Sequence, residues 1–555
     1  MEIRINGKAI EAKEGETILD VTKRIGIYVP TLCHHSDVKI GASCRICVVE
    51  VDGKMMTSCS TEVKEGMNIV ISNEEIEKAR KINLELLFSQ HQEECFDCIW
   101  NMNCKMLDLA KEYGVEINRF KDRKTDYPVY NFGPSLEFDS TKCIDCRNCV
   151  DICSKQGVNY LELKKKGHSV EVCPSERDDR ACVYCGQCII HCPAGAFEAV
   201  GEFEGIEKPF EKKEKTVVFQ IAPSVRSTIG EEFGLPYGTV STGKLVASLR
   251  KIGADMVFDV STGSDFTTIE ESKELLEKIE EGSLPMLTSC CPAWVRFVEF
   301  YYPEFIPNLT TVKSPHIILG SIIKKYVAQE KEIDPKDIVL VSVMPCVAKK
   351  YEIQRKEIKV DGISPVDYVM TTREVGRVLK KKCIDFKNIE EENIDCLLGD
   401  PSGSGVTYGA SGGVMQSAFY NISGEKPVFK EVWKGLRVAD VSYKGKDLRL
   451  AIVHGLGNAK KVLEELKEDP KKYDYIEVMA CYGGCIGGGG QSVPTDEYIR
   501  QKRKEGLCKA SGEKEVKKAS DNPQVKKIYE EFLNDKENLS KICYTKFYKA
   551  KRDEN

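Results

Sequence analysis

Residues 142–155 read KCIDCRNCVDICSK, and residues 181–195 repeat the same spacing as ACVYCGQCIIHCPAG. Each run separates four cysteines by two, two and three residues, and Pro193 follows the last cysteine of the second run. This is the ligand spacing of two [4Fe–4S] clusters, in which the fourth cysteine of each run binds the other cluster. Two structural zinc sites are the alternative. The repeat predicts one cluster on Cys143, Cys146, Cys149 and Cys192, and a second on Cys182, Cys185, Cys188 and Cys153.

A group of four cysteines lies near the start of the chain, in a stretch that reads as alternating strands. Two of the four are in a tight Cys-Arg-Ile-Cys turn, and the outer two are about eleven residues away on either side. Four thiolates suit one [2Fe–2S] cluster, and zinc is again the alternative. The β-rich surroundings favour the iron-sulfur interpretation, with the ligands Cys33, Cys44, Cys47 and Cys59.

A fourth group follows the pattern His-x3-Cys-x2-Cys-x5-Cys, in which one imidazole replaces a thiolate. Replacing an anionic ligand by a neutral one is expected to raise the reduction potential of a cluster. A lone histidine is usually incidental, but this one stands at ligand spacing. We therefore expect a [4Fe–4S] cluster held by His91, Cys95, Cys98 and Cys104.

Composition excludes several classes of function. The 555 residues include 81 Lys and Arg against 87 Asp and Glu, so the net charge of −6 offers nothing to a nucleic acid or an anionic membrane. Apolar runs stop well short of the roughly 20 residues of a membrane span. The opening MEIRINGKAIEA has no apolar signal core, which predicts a cytoplasmic protein whose 25 cysteines stay reduced and whose clustered cysteines bind metal.

The distribution of cysteines predicts the domains, since sixteen of the 25 lie before residue 193. We expect an α+β and α/β multidomain chain: a β-grasp [2Fe–2S] ferredoxin domain over 1–76, a cubane domain with one histidine and three cysteine ligands over 77–125, a two-cubane ferredoxin-like domain over 126–209, and a large α/β domain over 210–555. Residues 121–140 read as a linker. In the last domain, β-branched runs alternate with charged helical stretches, which indicates two mostly parallel sheets.

Three cysteine-bearing segments of the second half each follow an apolar, strand-like run. They are PMLTSCCPAW at 285–294, VSVMPCVAK at 341–349 and EVMACYGGCIGGGG at 477–490. In parallel sheets the carboxyl ends of strands meet at one ligand crevice, so these distant cysteines are expected to converge. The glycines of the third segment are expected to let the backbone approach a bulky inorganic group.

The three segments closely resemble the Thr-Ser-Cys-Cys-Pro, Met-Pro-Cys-x-x-Lys and Met-Ala-Cys-x-Gly-Gly-Cys motifs of the FeFe hydrogenases. The resemblance covers roughly residues 1–540 and includes the four accessory-cluster groups in the same order. It implies a catalytic cubane, bridged through Cys485 to a diiron subcluster with carbon monoxide, cyanide and azadithiolate ligands. Together these form the H-cluster, which needs dedicated maturation proteins. The ligands implied are Cys291, Cys346, Cys481 and Cys485.

The same resemblance implies residues around the diiron subcluster. Lys349 is suited to a charge-assisted bond with a cyanide ligand. The loop Ala222-Pro223-Ser224 matches donors to the other cyanide, and Met344 and Met479 match apolar walls of the pocket.

By the same match, the thiol of Cys290 relays protons. The implied outward path runs through Glu271, Thr310 and Glu274, with Glu352 nearby. Spacing alone predicts instead that Glu271 and Glu274, on one helix face of a glutamate-rich stretch, face solvent.

The sequence departs from the family at a few positions. His316 stands where the family usually has glutamine near the diiron pocket, and Thr310 replaces a serine. Ser520-Asp521-Asn522 and Cys543-Tyr544-Thr545 differ from histidine-containing patterns near the C-terminus.

No complete flavin or nicotinamide motif is found, so electrons are expected to enter from another protein. The candidates are a ferredoxin, or a flavin-containing NAD(P)-linked subunit with a small thioredoxin-like [2Fe–2S] subunit, as in bifurcating hydrogenases. Alternatives are a monomeric ferredoxin-dependent enzyme, and a non-catalytic hydrogen sensor or iron-sulfur assembly factor. A respiratory NADH dehydrogenase subunit resembles only residues 1 to about 200.

Overall fold

The computed structural model describes residues 1–93, 95–96, 98–100, 103–166, 169–201 and 214–552. The chain begins with a mixed sheet in the order β2-β1-β5-β3-β4. A tight turn at Asn6-Gly7 joins the first two strands, with φ of 50° and 78°, which confirms the predicted hairpin. The strands are β1 (Glu2–Ile5), β2 (Lys8–Glu11), β3 (Val48–Val51), β4 (Lys54–Thr57) and β5 (Asn68–Val70), with α1 (Ile18–Arg24).

The second half of the segment expected to be a linker is instead a hairpin with buried side chains on one face. Strands β6 (Val129–Phe132) and β7 (Leu136–Asp139) pair with each other, and β10 (Phe197–Ala199) adds to β7. The side chains of Leu136 and Phe138 are buried, and Phe138 stacks on Phe197. The prediction of a linker over 121–140 was wrong because its polar residues concealed the few apolar side chains that close this sheet.

The two cysteine runs form equivalent local structures. Helices α4 (Asn148–Lys155) and α5 (Gln187–Ile190) each begin after a residue with left-handed backbone, Arg147 at φ 71° and Gly186 at φ 68°. Hairpin β8 (Leu161–Lys166) and β9 (Ser169–Pro174) lies between the runs, while α2 (Glu74–Phe88) and α3 (Lys105–Glu112) precede them. The internal repeat of the sequence is therefore also a repeat of structure.

Two sheets organise the second half of the chain. The first has the order β12-β11-β14-β15 and is parallel throughout. The second has the order β13-β19-β18-β17-β16, and its first three strands are parallel. The strands are β11 (Thr216–Ile221), β12 (Met256–Asp259), β13 (Met286–Leu287), β14 (Ile338–Met344), β15 (Tyr368–Thr371), β16 (Lys430–Trp433), β17 (Leu436–Tyr443), β18 (Lys446–His454) and β19 (Tyr475–Met479).

Helices cover these sheets, and all seven residues of β14 are buried, as expected for a central parallel strand. A π-helical segment, Ile323–Val327, joins α9 to α10. The helices are α6 (Thr242–Lys251), α7 (Val260–Glu281), α8 (Pro292–Tyr301), α9 (Pro315–Ile322), α10 (Ala328–Glu330), α11 (Ala348–Glu352), α12 (Thr372–Lys381), α13 (Gly403–Thr407), α14 (Gly413–Ser423), α15 (Leu456–Glu468), α16 (Glu497–Gly512), α17 (Pro523–Glu531) and α18 (Lys536–Cys543). Among the described residues, no helix is long and apolar enough to cross a membrane.

The glycines after β19 bring backbone segments into close contact, and two of them, Gly484 and Gly488, also line the cavity between the two sheets. A Cβ at Gly488 would lie 2.2 Å from the carbonyl oxygen of Pro345, and one at Gly484 would lie 2.5 Å from the amide nitrogen of Ser411. Gly489 meets Gly186, where an added Cβ would lie 2.6 Å from the Gly186 Cα. These glycines therefore bring three backbone segments into direct contact, including a turn of the second cysteine run.

A buried ion pair between Arg503 and Glu231 also holds the turn that follows β19 and contains Cys485. The Arg503 guanidinium of α16 donates to both Glu231 carboxylate oxygens, at 2.9 and 2.6 Å. It also donates to the carbonyl oxygens of Ile486 and Ser492, at 3.0 and 2.8 Å. Arg503 is fully buried, so it joins α16 to the glycine-rich turn by fully desolvated bonds.

We expect Arg503→Met to destabilise the protein strongly, because it leaves the Glu231 carboxylate buried without its cation. Breaking a buried pair in this way costs about 3–5 kcal/mol. Lys502→Met is the matched control, since Lys502 is the preceding residue and its pair with Glu505 is 39% exposed on the lysine side. That change is expected to cost less than about 1 kcal/mol. Anaerobic denaturant unfolding measures the difference, and equal effects of the two substitutions would contradict this interpretation.

Candidate active site

The strand ends of both sheets border one cavity of about 710 Å³. Residues that follow β11, β13, β14 and β19 line it, as the convergence of parallel strands requires. The cavity is lined mostly by apolar groups, with a few polar side chains. The predicted site residues in its wall are Ala222, Pro223, Ser224, Cys290, Cys291, Met344, Cys346, Lys349, Met479, Cys481 and Cys485.

Four of the cavity cysteines are close enough to disturb each other's ionisation. Cys291 immediately precedes α8, Cys346 follows β14, and Cys481 and Cys485 lie after β19. Burial, and then the Cys291 thiol, raise the pKa of Cys346 to about 12. Burial and the thiols of Cys346 and Cys291 likewise raise the pKa of Cys481 and Cys485. Thiolates so placed require a bound cation, so this set fits an iron-sulfur cluster.

Cys290 also reaches the cavity, but its surroundings differ from those of the four. Burial, and then the nearby Glu271 carboxyl, raise the pKa of its thiol well above the ordinary value. Its carbonyl oxygen accepts a bond from the Lys349 ammonium at 3.1 Å. Cys290 is thus a protonated thiol beside a carboxyl group, which suits proton exchange.

One side of the cavity wall contains Lys349, the lysine implied by the motif, and His316, and both contact Glu352. The Lys349 ammonium lies 2.6 Å from the Glu352 carboxylate, and the Nε2 atom of His316 lies 2.7 Å from the same oxygen. On the opposite side, the Ser224 hydroxyl accepts a bond at 3.2 Å from the side-chain amide of Gln491. Sequence analysis missed Gln491. Its position directly after the glycine run is the one feature of the sequence that could have pointed to it.

Both glutamates of the expected proton path are buried, so the expectation from spacing alone was wrong. The Tyr475 hydroxyl donates to Glu271 at 2.8 Å, and the Thr310 hydroxyl donates to Glu274 at 2.7 Å. Burial raises the pKa of Glu271 to about 8, and the nearby Glu274 charge adds to this effect. The charged composition of α7 hid these positions, because the side chains that bind the two carboxyl groups, Tyr475 and Thr310, come from elements distant in sequence.

Two tyrosines of this region were missed by sequence reasoning. Tyr408 lines the cavity, and its hydroxyl is 2.8 Å from that of Thr268. Tyr475 lies in β19 and is fully buried against Glu271. Tyr475 is the first residue of the buried strand β19, and a tyrosine there is the signal that points to it, because a buried hydroxyl needs a partner.

The accessory groups come together as separate clusters of ligand-type atoms. In the first, the Cys47 and Cys59 sulfur atoms are 3.3 Å apart, and the Cys33 amide donates to the Cys44 sulfur at 3.5 Å. The second lines a cavity of about 560 Å³ with His91, Cys95, Cys98 and Cys104.

The bonding of His91 suits a metal ligand. Its Nδ1 atom donates to the Lys142 carbonyl oxygen at 2.7 Å, which leaves the Nε2 lone pair for a metal.

In the two repeated runs, Cys192 lies near Cys146 and Cys153 lies near Cys188, which is the proximity that the predicted exchange of ligands needs. After burial, the largest influences that raise the pKa of Cys146 are the thiols of Cys192 and Cys143. Those that raise the pKa of Cys188 are Cys185, Cys182 and then Cys153. Each set thus contains three cysteines of one run and the last cysteine of the other.

The groups do not follow one another in space in the order of the sequence. The Cys146 thiol is among the influences that raise the pKa of Cys33, and the Cys192 thiol is among those that raise the pKa of Cys98. Both N-terminal groups therefore adjoin the same set of the repeat. Asn148 joins two of these loops, donating to the carbonyl oxygens of Cys33 and His191 at 3.0 and 3.2 Å.

The other set of the repeat adjoins the cavity. The Cys481 thiol donates to the Cys185 carbonyl oxygen at 3.9 Å, and the contact of Gly186 with Gly489 holds these segments together. The Cys33 and His91 groups thus adjoin one set of the repeat, and the cavity adjoins the other.

Family models match five successive parts of the chain. Residues 1–74 match the 2Fe-2S iron-sulfur cluster binding domain, and 80–119 match the NADH-ubiquinone oxidoreductase-G iron-sulfur binding region. Residues 142–196 match the 4Fe-4S dicluster domain, and 215–489 match the iron only hydrogenase large subunit, C-terminal domain. Residues 496–541, which contain α16 and α17, match the iron hydrogenase small subunit.

Characterised relatives extend over nearly the whole chain. The NADP-reducing hydrogenase subunit HndD of Solidesulfovibrio fructosivorans is 35% identical over 100% of this chain and 99% of its own length. Iron hydrogenase 1 of Clostridium pasteurianum is 35% identical over 96% of each chain. The solved structure of a variant of the apo FeFe hydrogenase HydA1 from Chlamydomonas reinhardtii superposes with a TM-score of 0.57 at 32% identity, over 62% of this chain and 98% of that one.

These similarities agree with the cavity of five cysteines and with the groups of cluster ligands that precede it. They show that the cofactors are iron-sulfur clusters of the 2Fe-2S and 4Fe-4S types together with the H-cluster of this class of enzyme. The chain belongs to the iron-only, or FeFe, hydrogenases, which are oxidoreductases that act on hydrogen.

Proposed function

We propose that this chain catalyses the reversible interconversion of molecular hydrogen with protons and electrons in the cavity between its two sheets. The observation that carries the proposal is the convergence of five cysteines and one lysine on that apolar cavity. When bound, the H-cluster supplies the redox-active metal at which hydrogen is formed or split. Cys291, Cys346, Cys481 and Cys485 would hold its cubane, and Cys485 would also hold the diiron part.

The chain's own residues position the diiron part. Lys349 has three ammonium protons, of which two are engaged by Glu352 and the Cys290 carbonyl oxygen. The third is free to donate to an anionic cyanide ligand. The loop Ala222-Pro223-Ser224 is placed to bind the other cyanide, while Met344 and Met479 form apolar walls of the cavity.

We propose that protons pass between the cavity and solvent through side chains of α7 and its neighbours. The Cys290 thiol exchanges its proton with Glu271, whose pKa of about 8 allows both protonation states near neutral pH. Thr310 donates to Glu274, which lies at the edge of the buried region. Glu352, held by Lys349, is a further acceptor beside the cavity.

Electrons reach the cavity through the accessory clusters. We propose one [2Fe–2S] cluster in residues 1–76, one [4Fe–4S] cluster in 77–125 and two in 126–209, while 210–555 is the catalytic domain that holds the H-cluster. Their ligands are Cys33, Cys44, Cys47 and Cys59; His91, Cys95, Cys98 and Cys104; Cys143, Cys146, Cys149 and Cys192; and Cys182, Cys185, Cys188 and Cys153. The arrangement of the thiols allows electrons to enter at either N-terminal cluster.

We also propose that the chain is the catalytic subunit of an NAD(P)- and ferredoxin-linked bifurcating complex in the cytoplasm. The similarity to HndD supports this, since that relative is named as a subunit of an NADP-reducing hydrogenase. The proposed partners are a flavin-containing subunit and a small thioredoxin-like [2Fe–2S] subunit, with maturation proteins that assemble the H-cluster. Iron hydrogenase 1 is not named as a subunit of a complex. The second candidate is therefore a monomeric hydrogenase that takes electrons directly from ferredoxin.

Cys290→Ala tests the proton relay and Cys291→Ala tests the ligand set. We expect Cys290→Ala to retain the infrared bands of iron-bound carbon monoxide and cyanide while losing about a hundredfold or more of its turnover. We expect Cys291→Ala to lose the bands, because a cluster ligand is removed. Infrared spectra and hydrogen evolution of both matured variants measure the two effects. Turnover at the wild-type rate in Cys290→Ala would refute the relay.

Tyr475→Phe tests the setting of the relay glutamate. The hydroxyl of Tyr475 lowers the pKa of Glu271, so its removal is expected to raise that pKa above about 8 and keep the carboxyl protonated to higher pH. The carboxyl band in pH-difference infrared spectra, assigned by its loss in Glu271→Gln, gives the midpoint. Tyr473→Phe is the control, because its hydroxyl bonds to Glu465 instead. An unchanged or lower midpoint in Tyr475→Phe would contradict the proposed role.

Affinity purification of the tagged chain from its native anaerobe tests the assembly. Co-purification of a flavoprotein and a small thioredoxin-like iron-sulfur protein is expected. A monomer that evolves hydrogen rapidly from reduced ferredoxin alone would favour the ferredoxin-dependent enzyme over the complex.

A further inference from the structure

His316 belongs to a buried network that ends at the lysine of the cavity. It lies in α9, is 1% exposed, and forms part of the cavity wall. Its Nε2 atom is 2.7 Å from a Glu352 carboxylate oxygen, and its Nδ1 atom is 3.2 Å from the Ser342 hydroxyl. None of the roles proposed above for the hydrogenase reaction uses this histidine.

The surrounding bonds fix which ring nitrogen carries the proton. The side-chain amide of Gln220 donates to the Ser342 oxygen at 2.5 Å. The Ser342 proton is therefore available to the Nδ1 atom of His316, which accepts it. Nε2 then carries the ring proton and donates to Glu352. Burial, and then the Lys349 charge, lower the pKa of His316 to about 4, so the ring is neutral at neutral pH.

Glu352 is held from two sides by this arrangement. The same carboxylate oxygen accepts from the Lys349 ammonium at 2.6 Å and from His316 at 2.7 Å. Burial alone would raise the pKa of Glu352, but Lys349 and His316 outweigh it and lower the pKa to about 2. The carboxylate therefore stays ionised, and its position fixes one of the three Lys349 protons.

We propose that His316 is a positioning residue for Lys349: by donating to Glu352, it fixes the carboxylate that orients the lysine ammonium over the cavity. The inference rests on the proposed function, since the group that the ammonium addresses is the cyanide-bearing part of the H-cluster. With the histidine donor removed, Glu352 is free to turn, and the ammonium is no longer held in one direction.

The experiment compares infrared spectra of three anaerobically matured variants with the wild type. His316→Leu removes the donor, while His316→Gln supplies an amide donor toward Glu352. Ser321→Ala is the control, since Ser321 lies buried in the same helix and bonds only to the Ile317 carbonyl oxygen in the described contacts. We expect His316→Leu to shift or broaden a cyanide band, or to fail to retain the diiron part. We expect His316→Gln and Ser321→Ala to keep the wild-type bands.

The outcomes separate this inference from the proposed function. A wild-type cyanide spectrum in His316→Leu would overturn the positioning role, and so would a His316→Gln spectrum as altered as that of His316→Leu. The positioning role would also be overturned if the cyanide bands of Ser321→Ala changed as much as those of His316→Leu. A general disturbance of α9 would then explain the change. Absence of all carbon monoxide and cyanide bands from the wild type would instead reject the proposed function.

Discussion

Thiolates buried inside a protein need a cation, and this constraint governs the structure around the cavity. The central fold brings together Cys291, Cys346, Cys481 and Cys485 from three strand ends, and burial raises the pKa of each. Without a positively charged group, such a set would remain protonated and would contribute little to the fold. Iron binds the four sulfur atoms as thiolates, so folding of the site and binding of its cofactor are expected to depend on each other.

We interpret the rest of the chain as the part that supplies electrons and protons to these four buried cysteines. Electrons need short separations, and direct backbone contact provides them where Gly186 meets Gly489. Protons need titratable groups in apolar surroundings, and α7 supplies Glu271 and Glu274 on the side that packs inward. The two proposed routes leave the cavity through different elements, because the cluster-bearing segments adjoin β19 while the carboxyl groups lie along α7.

Sequence spacing predicted the features that depend on residues close together in the sequence. The repeated cysteine runs, the hairpin at Asn6-Gly7 and the strands before each catalytic cysteine could all be read from the chain. The exchange of Cys153 and Cys192 between the two runs could be predicted too, because it is a property of the spacing itself. The resemblance of short motifs to known hydrogenases then indicated which residues surround the cavity.

Features that depend on packing could not be read in the same way. The burial of Glu271 is decided by helices distant in sequence, so a glutamate-rich stretch gave the wrong expectation. The glycines after β19 were expected to admit an inorganic group, and Gly484 and Gly488 do line the cavity. Their close contacts with Ser411 and Pro345, in remote segments, could not be read from the sequence. The bonds of His316 to Glu352 and Ser342 join three elements, and no spacing rule relates them.

Iron analysis combined with infrared spectroscopy tests the central claim most directly. Protein matured anaerobically is expected to contain about 20 iron atoms per chain, to show bands of iron-bound carbon monoxide and cyanide, and to evolve hydrogen. Protein made without maturation proteins is expected to contain about 18 iron atoms, with neither the bands nor the activity. A metal content of about four atoms per chain, with zinc in place of iron, would contradict the account.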